Sequence, residues 1–187
     1  MTSSGSVVGD ERLRLFLGFR LPDATARRVV SWQQEELGAP ERTRLVPVEN
    51  MHVTIAFLGS RPAGELDSIA GALREAARDA ARPVLVPAGY RETRSVGILV
   101  FEDEDGHATR IAKDVHGRLA RLGVYEPERR AWLAHLTVVR FGERPRLQPP
   151  IPKLGPVTMS DAAVYISRLR PTGAQYEVME SVPLGGG

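Results

Sequence analysis

The chain has 187 residues, 42% hydrophobic and 26% charged, with a formal net charge of +2. This composition is typical of a folded globular protein, and the mildly basic balance permits an anionic substrate without requiring one. The absence of cysteine excludes disulfides, thiolate nucleophiles and cysteine-bound zinc. No apolar run approaches the roughly 18 residues of a membrane helix, so we predict a cytoplasmic protein with no membrane partner.

The first quarter of the chain predicts a leader, a strand, a helix and a loop. Residues 1–11 carry no basic start and no apolar stretch of a secretory signal, and are predicted to be disordered. Residues 13–19 alternate as a half-buried strand. Pro22 opens a helix that ends at Gly38, with an apolar stripe formed by Ala26, Val29, Val30 and Leu37. Residues 39–50 are then predicted to be a loop.

Elements of both kinds continue to the end. A second helix is predicted to start at Ser60 and to stop at Pro83, and a third to end at Gly123. Strands are predicted at 84–86 and 95–101 around a loop at 89–94, and at 157–169 and 176–184 around a turn at 171–173. Residues 143–156 hold five prolines and are predicted to form a surface loop. Residues 185–187 are expected to be frayed.

The order of these elements favours one fold class. Helices and strands interleave, but neighbouring strands such as the last two are separated only by a turn. Hairpin connections join antiparallel strands, so we predict an α+β fold with antiparallel sheets rather than a doubly wound parallel sheet. Residues 12–184 are predicted to form a single domain.

Two segments, 51–59 and 135–142, share a pattern of His, an apolar residue, Thr and further apolar residues, with a Gly seven positions after the His. Strand alternation places His52 and Thr54 on one face. The other face is then apolar: Val53, Ile55 and Phe57. Because the pattern recurs in each half of the chain, we predict two related lobes, each bringing one such strand to a shared cleft.

The repeated residue types suit phosphoryl transfer. A lone strand His or Thr is usually structural, but two of the four histidines, His52 and His135, occupy matching positions. With a pKa near neutrality, one imidazole can accept a proton while the other donates one. The hydroxyls of Thr54 and Thr137 can donate hydrogen bonds to phosphate oxygens. A duplicated structural histidine is the alternative interpretation.

A metal site is a weaker interpretation of the same residues. Catalytic zinc usually takes three protein ligands, whereas the two motifs offer two histidines and no acidic residue. We therefore expect no metal and no cofactor. The remaining histidines, His107 and His116, fall on or near the third helix and are predicted to face solvent.

These motifs resemble those of the 2H phosphoesterase superfamily, which is named for two His-x-Ser/Thr motifs. The resemblance is strongest to the LigT-like branch, the RNA 2′,3′-cyclic phosphodiesterases, also called 2′-5′ RNA ligases. It covers roughly residues 12–184, including the lead-in at 49–51, Arg140 and the tail at 167–178. Ala134 departs from the pattern, since family members often have Pro there.

The resemblance implies a fold and an activity. The fold is bilobal and pseudo-symmetric, with each lobe an antiparallel sheet backed by helices and the active-site cleft between them. The reaction opens a 2′,3′-cyclic phosphate at an RNA end to a 2′-phosphate without metal. His52 would donate a proton to the leaving oxygen, His135 would accept one from water, and Thr54 and Thr137 would hold the phosphate. A monomer acting on RNA ends or nucleoside 2′,3′-cyclic phosphates is expected.

Several questions stay open at this level. Strict alternation from His135 puts Arg140 on the face opposite the cleft, so it binds phosphate only if the strand ends or bulges before it. Other cyclic or 2′-5′ nucleotide substrates, ligation, or a non-catalytic RNA-end binder remain alternatives. Substrate specificity is expected to lie in loops at 39–50, 87–94 and 143–156.

Overall fold

The computed structural model describes residues 11–38 and 42–185. Within them lie nine strands: β1 (Arg12–Arg20), β2 (Thr43–Leu45), β3 (His52–Pro62), β4 (Val84–Glu92), β5 (Val96–Glu102), β6 (His135–Phe141), β7 (Val157–Thr158), β8 (Asp161–Arg170) and β9 (Gly173–Pro183). The α-helices of this part of the chain are α1 (Asp23–Glu36), α2 (Leu66–Ala77) and α3 (His107–Arg121).

The strands form an antiparallel sheet in the order β7-β4-β5-β6-β3-β1-β8-β9, with β2 added on β6. The α+β prediction is therefore confirmed. The order divides into two halves of four strands at the β3–β6 pair, where Val53 stands opposite Leu136. Outward from this pair, β3-β1-β8-β9 is the first half and β6-β5-β4-β7 is the second. Each half thus has its motif strand innermost.

Helices α1 and α3 cross between the halves, whereas α2 stays in the first half. Helix α1 follows β1 of the first half, yet its Gln33 reaches the Val138 carbonyl of β6 in the second half. Helix α3 follows β5 of the second half and packs on β3 of the first, while α2 covers β8 and β9. Because α1 and α3 span the β3–β6 pair, they fix the two motif strands relative to each other.

Helix α1 buries a different stripe from the predicted one. Ala26, Val29 and Leu37 are buried as expected, whereas Val30 is only partly buried. Trp32 and Gln33 take its place in the core. The indole Nε1 of Trp32 donates to the Pro150 carbonyl at 2.8 Å, so the polar atom of this large side chain is satisfied inside the protein.

Several boundaries differ from the sequence prediction. Strand β3 continues to Pro62, opposite Arg12, so α2 begins at Leu66 and not at Ser60. It ends at Ala77, well before Pro83. The segment at 89–94, predicted to be a loop, belongs to β4 as far as Glu92. A break in register between Pro87 and Gly89 lets this strand tolerate its proline.

The proline-rich connection and the two chain ends were also predicted from the sequence. Residues 143–156 contain neither helix nor strand, as predicted, but residues 39–41 of the first loop lie outside the described part, as do the ends at 1–10 and 186–187. Glu11 and Gly185 were predicted to be disordered and are instead bonded. The Glu11 carbonyl accepts from the Ala63 N–H at 2.8 Å, and the Gly185 N–H donates to the Ala80 carbonyl at 2.9 Å.

No helix in the described residues combines the length and the apolar character that crossing a bilayer would require.

Candidate active site

Both motif strands carry a β-bulge at the same place. In the β1–β3 pair, Leu17 stands opposite Ala56 and Gly18 opposite Thr54, which leaves Ile55 without a partner. In the β5–β6 pair the same break leaves Val138 without a partner. An extra residue shifts the alternation, so the side chains that follow it change face. Phe57 and Arg140 therefore point opposite to where strict alternation put them, and in β3 a second break in register follows at Leu58.

The bulges bring Phe57 and Arg140 into equivalent positions. Each lies five residues after its motif histidine, and both strands share one burial pattern up to that point. Phe57 was predicted to lie in the core and is 49% exposed. Arg140 turns to the cleft because of the bulge at Val138, which is one of the alternatives that the sequence left open.

A cavity of about 550 Å³ lies between the halves of the sheet. Among the predicted residues, it is lined by His52, Thr54, Thr137 and Arg140. His135 does not line this cavity, but it lies two positions from Thr137 on the same strand. The charge of His135 acts on the pKa of His52, so the two imidazoles are electrostatically coupled.

The two histidine rings are anchored in the same way. His52 Nδ1 lies 2.9 Å from the Asn50 carbonyl, and His135 Nδ1 lies 2.9 Å from the Leu133 carbonyl. A carbonyl can only accept, so each Nδ1 carries the hydrogen and donates it. In the neutral ring Nε2 is then the free acceptor, which makes it the atom available for proton transfer.

Aromatic side chains surround His52. Its ring centroid lies 4.6 Å from that of Phe16, 5.3 Å from that of Tyr176 and 5.7 Å from that of Tyr165. Gly18 lies beside it, where a Cβ would stand 3.1 Å from His52 Cδ2 and 3.1 Å from the Val53 carbonyl oxygen and would crowd the ring. The ring is therefore held tightly in an apolar niche at the cleft.

This environment lowers the pKa of His52 to about 4. Burial is the main cause, because it disfavours the charged imidazolium. The Asn50 hydrogen bond acts in the opposite direction, while the charges of His135 and Arg140 lower the pKa further. His52 is consequently neutral near pH 7 in the free protein.

The cleft is positively charged. Arg14, Arg44, Arg140 and Arg170 line the cavity, and no Asp or Glu is found among its described lining residues. No carboxylate of the described residues lies within ion-pair distance of these four guanidinium groups. A guanidinium group with no carboxylate partner is suited to binding phosphate, because two of its N–H groups can donate to two phosphate oxygens.

Sequence reasoning missed part of the lining. Phe16 is an apolar residue on the face of β1 that carries Arg14. This break in the alternation of polar and apolar residues was visible in the sequence. Arg14 also lies over the Phe57 ring, 4.7 Å from its centroid. No local pattern marks Arg44 or Arg170, because they come from β2 and the β8–β9 hairpin, which only the fold brings to the cleft.

The prediction for His107 and His116 was wrong. His116 is partly buried, with Nε2 2.7 Å from the Ile55 carbonyl and its ring 4.9 Å from that of Tyr125. The Nδ1 atom of His107 is buried and has no hydrogen-bond partner among the described residues. Within residues 11–38 and 42–185, no three His, Asp or Glu side chains are grouped so as to hold a metal ion.

Comparison with known proteins gives matches in family and in fold. Residues 19–86, which include the first motif, match the family described as LigT like Phosphoesterase. The structure of TT0787 from Thermus thermophilus is 26% identical, with a TM-score of 0.79 over 93% of this chain and 99% of that one. E. coli LigT, solved with 3′-AMP, is 20% identical with a TM-score of 0.79, over 94% and 99% of the two chains.

A structure described only as a phosphoesterase is 21% identical, with a TM-score of 0.83 over 94% of this chain and 99% of that one. No curated protein matches the chain by sequence. The chain therefore has the fold of these solved phosphoesterase structures. The match to the family described as LigT like Phosphoesterase spans residues 19–86, whereas the likeness in fold to these structures extends over more than nine tenths of the chain.

Proposed function

We propose that this protein is a metal-independent phosphodiesterase that hydrolyses a 2′,3′-cyclic phosphate at an RNA end to a 2′-phosphate. The observation that carries the proposal is the pair of bulged strands, which brings His52, Thr54, Thr137 and Arg140 to one cleft. His135 stands two positions before Thr137 on β6, and its charge acts on the pKa of His52. The residues that we assign to catalysis are His52 and His135. Thr54, Thr137 and Arg140 are assigned to phosphate binding.

The proposed reaction needs two proton transfers. A water oxygen attacks the phosphorus atom, and its proton passes to Nε2 of one histidine. The bond from phosphorus to the 3′ oxygen breaks, and that oxygen takes a proton from the other histidine, leaving a 2′-phosphate. Hydroxyl and guanidinium donors in the cleft stabilise the charge that builds on the phosphate oxygens. No step of this scheme calls for a metal ion.

The lowered pKa of His52 bears on which histidine donates. The resemblance assigns the donor role to His52, but its neutral ring in the free protein suits a proton acceptor. A donor role requires that the negative charge of the bound phosphate raise the pKa of His52. We propose that bound phosphate raises the pKa of His52 in this way. Arg140 is one of the groups that lowers this pKa, and the same phosphate would neutralise its charge.

The direct test is an assay on an oligonucleotide that ends in a 2′,3′-cyclic phosphate, with EDTA present. We expect a 2′-phosphate product at the same rate with and without EDTA, and no reaction of the matched oligonucleotide ending in a 3′-phosphate. Binding without turnover would instead support an RNA-end binder. Joining of two RNA fragments would support a 2′-5′ ligase.

The pH dependence of kcat/KM is expected to be bell-shaped, with its acidic limb near pH 4. Activity should rise with pH through this limb as His52 loses its proton, because only the singly protonated pair is active. The acidic limb of kcat should lie at higher pH, since bound phosphate raises the pKa of His52.

Protein stability must be followed in the same pH series. Between pH 6.5 and 4 the unfolded state binds a proton at His52 that the folded state does not, so stability falls as the pH is lowered. Circular dichroism at each pH separates this loss from the kinetic limb. An acidic limb of kcat/KM near pH 6.5 in folded protein would show that burial does not lower the pKa of His52.

The Arg140→Lys variant tests the phosphate contact. Lysine keeps the charge but loses the planar fork, so kcat/KM should fall about tenfold or more, given about 1.5–3 kcal/mol for a hydrogen bond to a charged group. The melting temperature should hold, because Arg140 is exposed. Arg110→Lys on α3 is the control. A lower melting temperature with unchanged activity per folded molecule would assign Arg140 a structural role.

A further inference from the structure

At each bulge a side chain donates to the carbonyl of the bulge residue, and the Val138 carbonyl also accepts from the Val46 N–H at 3.0 Å. Nε2 of His116 lies 2.7 Å from the carbonyl of Ile55, the bulge residue of β3. Nε2 of Gln33 lies 2.5 Å from the carbonyl of Val138, the bulge residue of β6, and 3.1 Å from the Val46 carbonyl. Since the partners are carbonyl oxygens, both side chains must donate.

The two donors are equivalent by position. Gln33 lies 19 residues before His52 (33 to 52), and His116 lies 19 residues before His135 (116 to 135). Each sits on the helix that leads toward the motif strand of its own half. Each nevertheless bonds the strand of the other half, at the carbonyl three residues after the histidine there.

Physical reasons make these bonds important for the site. Ile55 is 2% exposed and Val138 is fully buried, so a carbonyl that loses a donor here cannot replace it with water. The Val138 carbonyl keeps the Val46 N–H when Gln33 is removed, but Gln33 also ties Val138 to the Val46 carbonyl. Without the bulge, regular alternation would turn Phe57 and Arg140 away from the cleft. A donor fixed at the bulge carbonyl therefore favours the conformation that builds the cleft.

Neither donor touches the cavity. Gln33 is 1% exposed, and neither Gln33 nor His116 lines the cleft. A second side chain supports the first bulge, since Trp132 Nε1 donates to the Thr54 carbonyl at 3.0 Å. Any effect of the two donors on the reaction must therefore pass through the backbone of the motif strands.

We propose that Gln33 and His116 are crossed positioning residues, each holding the bulge that orients the motif strand of the opposite half. The proposal rests on the proposed function for its catalytic consequence. It assigns a role to His116 that depends on its N–H donor and not on its ionisation.

The test compares variants that remove or keep the donor. His116→Leu removes it, whereas His116→Gln keeps an amide N–H in the place of Nε2, as Gln33 does in the other half. Gln33→Met removes the second donor at similar size. Ile69→Val is the control, because Ile69 is buried in α2, which packs mainly on α3, β8 and β9. Amide hydrogen exchange of β3 and β6 and steady-state kinetics are measured on the full chain.

We expect a crossed pattern. His116→Leu should speed exchange around residues 54–57 more than around 137–140, and Gln33→Met should do the reverse. Each should lower kcat at least tenfold, while His116→Gln stays within about threefold of the wild type. Ile69→Val should raise exchange without preference for either bulge and leave kcat unchanged.

The outcomes that overturn the proposal are distinct from those that overturn the function. If His116→Gln is as impaired as His116→Leu, or if exchange rises equally in both strands, the donors do not position the bulges. If Gln33→Met fails to fold, the two His116 variants decide the matter. A wild-type protein inactive on the cyclic phosphate would refute the proposed function, while the exchange pattern would still decide the role of the donors.

Discussion

Replacing His52 or His135 with alanine is expected to lower kcat on the cyclic phosphate by about a hundredfold or more, since a proton-transfer group contributes about 10²–10⁴ to the rate. The two effects should be similar, because both rings present Nε2 after donating Nδ1–H to a backbone carbonyl. Rates are measured under saturating substrate at pH 7 with EDTA present.

The matched control is His107→Ala, which removes an imidazole at the start of α3, outside the cleft lining. It should leave kcat unchanged. Thermal melts are needed for His52→Ala in particular, because its ring packs against Phe16 and Tyr176. Near-wild-type turnover in either motif variant would refute the two-histidine mechanism.

Thr54→Val and Thr137→Val are each expected to lower kcat/KM by about 2–4 kcal/mol, or roughly 30- to 900-fold, by analogy with the loss of one oxyanion donor. Valine keeps the shape and the strand preference of threonine but lacks the hydroxyl. Because both threonines are only partly buried at the cleft, the melting temperature should change little.

Thr158→Val is the corresponding control, since Thr158 is exposed on β7 and does not line the cleft. The double variant, with both Thr54 and Thr137 replaced by valine, shows whether the two hydroxyls act on the same phosphate. If they do, the double loss should differ from the sum of the single losses. Unchanged kcat/KM in both single variants would remove the threonines from the proposed phosphate site.

The antiparallel α+β fold could be predicted from the sequence because its signals are local. The hairpin turn before Gly173 and the proline-rich stretch at 143–156 act within a few residues. The boundaries were less certain, since β3 ends at Pro62 only because β1 extends alongside it. Strand β2 was missed because three residues are too few to show a period.

The candidate catalytic residues were also accessible from the sequence. Duplication left the same His-x-Thr pattern twice, and alternation correctly placed His52 with Thr54, and His135 with Thr137, before either bulge intervenes. Beyond the bulges the same rule failed. It placed Phe57 on the apolar face and left Arg140 undecided, because one inserted residue reverses the face of the side chains next to it.

The sequence by itself therefore determined most of the strands, the antiparallel class and the paired histidines and threonines, all of which depend on neighbours along the chain. Only the tertiary structure decided the bulges, the lowered pKa of His52 and the inward direction of Arg140. The side chains that donate to the bulge carbonyls, Gln33 and His116, lie 105 and 61 residues away from them in sequence. The pKa of His52 likewise depends on rings from β1, β8 and β9, which only folding brings around it.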